Sequence, residues 1–152
     1  MKILQINNCH YRRGGADAVY LNTAELLSRM GDEVVFFSTS SKENVDTEKS
    51  EYFVQKIDFL ELSTINKILI TPRYLYSKEA GHKLQELLDV EKPDIAHIHL
   101  YKGDLTASIL KVLKSNKVPV VSLYMIIACY AHVIYCLTEI IRFAKDVLPK
   151  RH

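Results

Sequence analysis

The fold is decided by residues 2–37, which open with Lys2-Ile3-Leu4-Gln5-Ile6-Asn7 and run through a polar loop ending in Arg12-Arg13-Gly14-Gly15. They continue through a periodic segment to Met30-Gly31 and close on Val34-Val35-Phe36-Phe37. Ile3, Leu4 and Ile6 make a short, β-branched-rich run that breaks at Asn7-Asn8, the form of a first strand. From the glycines onward the period changes: Ala16, Val19, Tyr20, Ala24, Leu27 and Met30 recur at helical spacing. Gly31 falls where a left-handed residue would close that helix. Val34-Val35-Phe36-Phe37 is an unbroken apolar run, as expected of a strand covered on both faces. Strand, glycine loop, helix, glycine and buried strand together make one βαβ unit.

Working outward, residues 38–50 are polar and read as a loop, and residues 52–57 as a short strand. Residues 60–70 are apolar at irregular spacing and read as a helix interrupted by Pro72. Residues 77–90 predict an amphipathic helix with Ala80, Leu84, Leu87 and Leu88 on one face. Pro93-Asp94 opens a strand, Ile95-Ala96-His97-Ile98-His99. Residues 105–113 read as another helix and residues 118–123 as another buried strand. Strands alternating with helices through short connections predict an α/β fold with a doubly wound parallel sheet.

Composition excludes several classes. The 152 residues are 48% hydrophobic and 25% charged, an ordinary globular balance for one domain. A net charge of +2, from 20 basic and 18 acidic residues, gives no reason to expect nucleic acid as a partner. Cys9, Cys129 and Cys136 form no C-x-x-C pair, so neither a disulfide framework nor a zinc site is expected, and a reduced cytoplasm is the default. Residues 1–7 do not read as a signal peptide, because polar residues follow a very short apolar run.

The glycine loop carries the chemistry. In an open parallel sheet, ligands bind beyond the carboxyl ends of the strands, where the loop after the first strand lies. Gly14 and Gly15 permit close backbone approach, and the following helix N-terminus favours an anion, so a phosphate or pyrophosphate contact is one reading and a plain tight turn the other. Arg12 and Arg13 either meet that phosphate or are solvated. Asp17 and Glu25 read as surface charges on the first helix, Asp17 favourably near its N-terminus. His97 and His99, two apart on a strand, point to one face. His97 reads as a core histidine, whereas His99 lies nearer the strand's carboxyl end and is the better site candidate; no third metal ligand is indicated.

These pieces together resemble the N-terminal domain of family 4 glycosyltransferases. The resemblance rests on the Met1–Ile6 start, Gly14-Gly15-Ala16, the run Leu26-Leu27-Ser28-Arg29-Met30-Gly31-Asp32-Glu33-Val34, and Lys92-Pro93-Asp94-Ile95-Ala96-His97-Ile98-His99 followed by Val118-Pro119-Val120-Val121. It covers residues 1–123 and implies a Rossmann-like sheet that is the N-terminal half of a GT-B fold. It further implies a retaining hexosyltransferase activity that moves a sugar from a nucleotide-sugar donor to a saccharide or lipid-linked acceptor, without a metal cofactor, in polysaccharide or lipopolysaccharide assembly. Carried over by position, Gly14 and Gly15 match the donor-phosphate loop, with Arg13 beside it, and His99 borders the cleft between acceptor and donor.

Two departures shape the expectation for the rest. The family's C-terminal donor-binding domain is not encoded in these residues, so this fragment is expected to be inactive alone. Where the family places His-Asp-Tyr after the fourth strand, the sequence has Tyr124-Met125-Ile126. Codons compatible with Tyr124-Met125-Ile126-Ile127-Ala128-Cys129-Tyr130-Ala131, read from each third base, can give His-Asp-Tyr-Arg-Leu-Leu-Cys-Pro, with the aspartate forced by Met125. Residues 124–152 are therefore expected to be a frameshifted tail. Two other classes stay open: a non-catalytic Rossmann-like ligand-binding module, and a membrane-anchored fragment in which the uncharged stretch 118–137 spans a bilayer. The expected location is the cytoplasm, with peripheral association at the inner face of the plasma membrane.

Overall fold

In a computed structural model of the chain, residues 1–56, 76–101 and 104–122 are described. The expected helix over 60–70 and the tail 124–152 lie outside them, as does most of the stretch 118–137.

The first βαβ unit forms in the expected order, although only Val35 and Phe37 of the expected buried run are buried, Val34 and Phe36 being partly exposed. Strand β1 (Lys2–Asn7) leads through the glycine loop into helix α1 (Gly15–Arg29) and back to strand β2 (Glu33–Phe37). Gly31 adopts φ 89°. Its N–H donates to the Ser28 carbonyl and that of Asp32 to the Leu27 carbonyl, both at 3.1 Å, which is a Schellman closure of α1. A two-stranded parallel pair, β3 (Thr39–Ser40) with β4 (Val54–Gln55), follows; the strand expected over 52–57 narrows to β4, and Ser50–Tyr52 forms a 3-10 turn.

Helix α2 (Lys78–Glu91) begins at Ser77, whose hydroxyl accepts the Ala80 N–H at 3.1 Å. Its predicted stripe, Ala80, Leu84, Leu87 and Leu88, is buried. Strand β5 (Ile95–Leu100) is held to β1 at its start by a double clamp: the Lys2 N–H donates to Asp94 Oδ2, and the Asp94 N–H to the Lys2 carbonyl, each at 2.8 Å. Helix α3 (Ser108–Ser115) is shorter than residues 105–113 suggested at its start, because Thr106 sits at φ 54°, outside right-handed helical space. Strand β6 (Val120–Ser122) departs from the expected buried strand. It starts after Pro119, which has no N–H to give a ladder, and among the described residues it pairs only with β5, leaving Val120 39% exposed.

All pairings in the four-stranded sheet are parallel, in the order β2-β1-β5-β6. Strand parity divides its two faces. Leu4, Ile6, Val35, Phe37, Ala96 and Ile98 join Leu84, Leu87, Ile109 and Leu113 in an apolar core beneath α2 and α3. Each large side chain so buried contributes about 1.5–3 kcal/mol. The opposite parity sets Gln5, Asn7, His97 and His99 on the face shared with Tyr20 of α1. One face is apolar; the other mixes these polar side chains with buried Ile3, Tyr20 and Ala24.

Candidate functional site

The chain leaves β1 to build β2 on one side and later returns to lay β5 on the other. The crevice beyond the carboxyl ends of β1 and β5 is therefore the topological switch point, where doubly wound sheets take their ligands. The glycine loop and the end of β5 both open there.

Gly14 is the N-cap of α1 in extended conformation (φ −157°, ψ −172°), and Gly15 is the first helical residue. Neither requires a positive φ. A Cβ placed on Gly15 would meet nothing within 4 Å, and one on Gly14 only Asp17 Oδ2 at 3.9 Å. Both residues are exposed. Glycine is thus not required at either position by backbone conformation; the positions are open outward, over first-turn amides that have no intrahelical backbone acceptor. Arg12 and Arg13 are also exposed. The Arg12 guanidinium donates to Asn22 Oδ1 at 2.7 Å, along the side of α1. Arg13 lies against Cys9, whose hydrogen bond raises its already high pKa.

Asp17 is a correction. It is no surface charge: only 6% of it is exposed, and Oδ1 accepts Asn7 Nδ2–H at 2.8 Å while Oδ2 accepts the Gly14 N–H at 3.1 Å. Asn7 Nδ2 also donates to the Cys9 carbonyl at 2.8 Å. Glu25 is exposed as expected and pairs with Arg29.

His99 and His97 do share a face, with ring centroids 4.1 Å apart. The bulge where β5 slips against Ile6 and Asn7 lies beside His99. The His99 Nε2–H donates to Gln5 Oε1 at 2.7 Å, and the Gln5 amide donates to His97 Nδ1 at 3.3 Å. Burial, with the neighbouring His97, pushes the His99 pKa down to about 3, and burial alone lowers that of His97. His99 is therefore a neutral imidazole with Nδ1 as an acceptor. Among the described residues, His99 Nδ1 and Asn7 Oδ1 are buried acceptors without a donor. The wall behind them is aromatic: Tyr20 lies edge-on to His99 at 5.3 Å and shares a 2.8 Å hydrogen bond with His10, whose burial lowers its pKa to about 4.

Sequence reasoning missed Gln5, Asn7, His10, Asp17 and Tyr20. The signal was present for two of them. Gln5 and Asn7 alternate with Leu4 and Ile6, in the same parity as His97 and His99 against Ala96 and Ile98. Adjacent strands polar on one common face mark a crevice.

Among the described residues, no three His, Cys, Asp or Glu side chains converge as a metal site would require, and no helix is long and apolar enough to cross a membrane. No curated protein matches the chain. The model of the family described as Glycosyltransferase Family 4 matches residues 13–124, more than half of the chain. That span begins at the loop arginine, contains both glycines and His99, and runs past the last described strand. With a parallel Rossmann-like sheet open at its switch point, the chain belongs to glycosyltransferase family 4.

Proposed function

We propose that this domain is the acceptor-side half of a retaining GT-B glycosyltransferase, in which Gly14-Gly15 meets the donor's diphosphate and His99 faces the cleft. The observation that carries the reading is the outward-open glycine pair at the switch point, where close approach costs the fold nothing. In the reaction the bond from the sugar's anomeric carbon to the diphosphate oxygen breaks, and a bond from that carbon to an acceptor hydroxyl oxygen forms. The nucleoside diphosphate departs with the electron pair, and the acceptor's hydroxyl proton passes to an oxygen of the departing diphosphate. Charge accumulates on the leaving diphosphate, so N–H donors aimed at it lower the barrier. Amides of the α1 first turn and the cationic Arg13 supply such donors. The neutral His99 Nδ1 is suited to accept from a sugar hydroxyl. The acceptor is a saccharide or lipid-linked saccharide of surface polysaccharide assembly, met at the inner face of the plasma membrane.

Titration of the isotope-labelled chain with UDP-glucose and with GDP-mannose tests this. The amides of Gly14 and Gly15 should shift first and saturate together. Shifts confined to other surfaces, or none at millimolar ligand, would overturn it.

A further inference from the structure

We propose that Asp17, acting with Asn7, is a positioning residue that fixes the backbone of Gly14-Gly15 for a diphosphate. The inference rests on the reading of that loop as a diphosphate contact. Two glycines with no required φ and open Cβ positions are held by no steric constraint of their own. Their placement comes from hydrogen bonds: the Ala18 N–H holds the Gly14 carbonyl at 3.0 Å, and the Asp17 carboxylate ties the Gly14 N–H back to the end of β1. Oδ2 holds the Gly14 N–H at 3.1 Å, and Oδ1 holds Asn7 Nδ2 at 2.8 Å, which in turn holds the Cys9 carbonyl at 2.8 Å. Two side chains thereby join the end of β1, the start of the loop, its glycine end and the first turn of α1. Asn7 is fully buried and Asp17 nearly so, and the helix dipole together with two donors keeps the charge tolerable there.

The electrostatics run against this arrangement if charge is all that counts. A carboxylate in the first turn competes with any anion for the same positive helix end. An anion-binding loop would then gain from losing it. Geometry and charge therefore predict opposite signs for one substitution. In Asp17→Asn, volume is kept and the negative charge removed, but one acceptor becomes an NH2 that confronts a donor, either Gly14 N–H or Asn7 Nδ2–H. Asp17→Glu keeps the charge and, at the third position of the helix, can still reach back to the N-cap N–H.

UDP is the probe, added to the full chain and followed by amide resonances. Positioning predicts that Asp17→Asn weakens UDP binding at least fivefold and speeds exchange of the Gly14 amide at least tenfold, with Asp17→Glu within about threefold of wild type. Tighter or unchanged binding in Asp17→Asn would overturn the proposal while leaving the loop reading intact. If wild type shows no UDP response at Gly14 and Gly15, the loop reading itself fails and this inference with it. Should Asp17→Asn not fold, the wild-type titration still decides: the Asn7 side-chain NH2 signals must move in step with Gly14, and a silent Asn7 refutes the clamp.

Discussion

Gly15→Ala separates a ligand-driven glycine from a fold-driven one. Gly15 is the first residue of α1, its φ lies outside the left-handed region, and an added Cβ meets nothing within 4 Å. Alanine can therefore occupy the native backbone without displacement. The fold should gain, because alanine loses less backbone entropy than glycine and is the better helix former, by about 0.5–1 kcal/mol. In a domain of this size that raises Tm by about 1–4 °C. Ligand binding should move the other way. A methyl group projecting from the loop removes one close amide contact to a charged oxygen, worth about 1.5–3 kcal/mol, or roughly ten- to hundredfold in UDP affinity. Urea denaturation gives the first quantity and UDP titration the second. A variant destabilised by more than about 1 kcal/mol would show that the fold needs the glycine. A variant that binds UDP like wild type would show that nothing approaches there. Gly15→Val extends the series, with turnover alongside a donor domain falling far more than stability.

Gly31→Ala should do the opposite, destabilising by about 1–2 kcal/mol with UDP affinity unchanged, since φ 89° is strained for any Cβ; equal stability in urea would contradict it. Acid should weaken the fold. His10 and His99 titrate near 4 and 3 when folded against about 6.5 unfolded, so the unfolded chain binds more protons between these values. Stability is complete above about pH 6.5 and is lost as pH falls toward the folded values, by up to about 1.4 kcal/mol per pH unit for each histidine. A urea midpoint flat from pH 7 to 5 would refute this.

The βαβ unit was legible because each of its signals is local. The period of α1 and the left-handed Gly31 depend on neighbours in sequence, as does the buried Ala80–Leu88 stripe of α2, although Val19 and Met30 of the α1 pattern are exposed. What depends on the assembled sheet was not legible. Asp17 reads as a solvated helix-start charge until β1 brings the Asn7 amide to its oxygen. Val118-Pro119-Val120-Val121 reads as buried from its apolar run, but burial is set by how many strands flank it, and only β5 does so among the described residues. The polar lining had a sequence trace that apolar periodicity overlooks, because Gln5 and Asn7 interrupt β1 at every second residue without breaking it.

We propose that the loop after β1 receives a nucleoside diphosphate. A crystal structure of the chain grown with UDP tests it most directly. Diphosphate oxygens should lie within about 3 Å of the Gly15 amide nitrogen, beyond the carboxyl ends of β1 and β5. UDP bound elsewhere, with that crevice holding only solvent at saturating ligand, would contradict it.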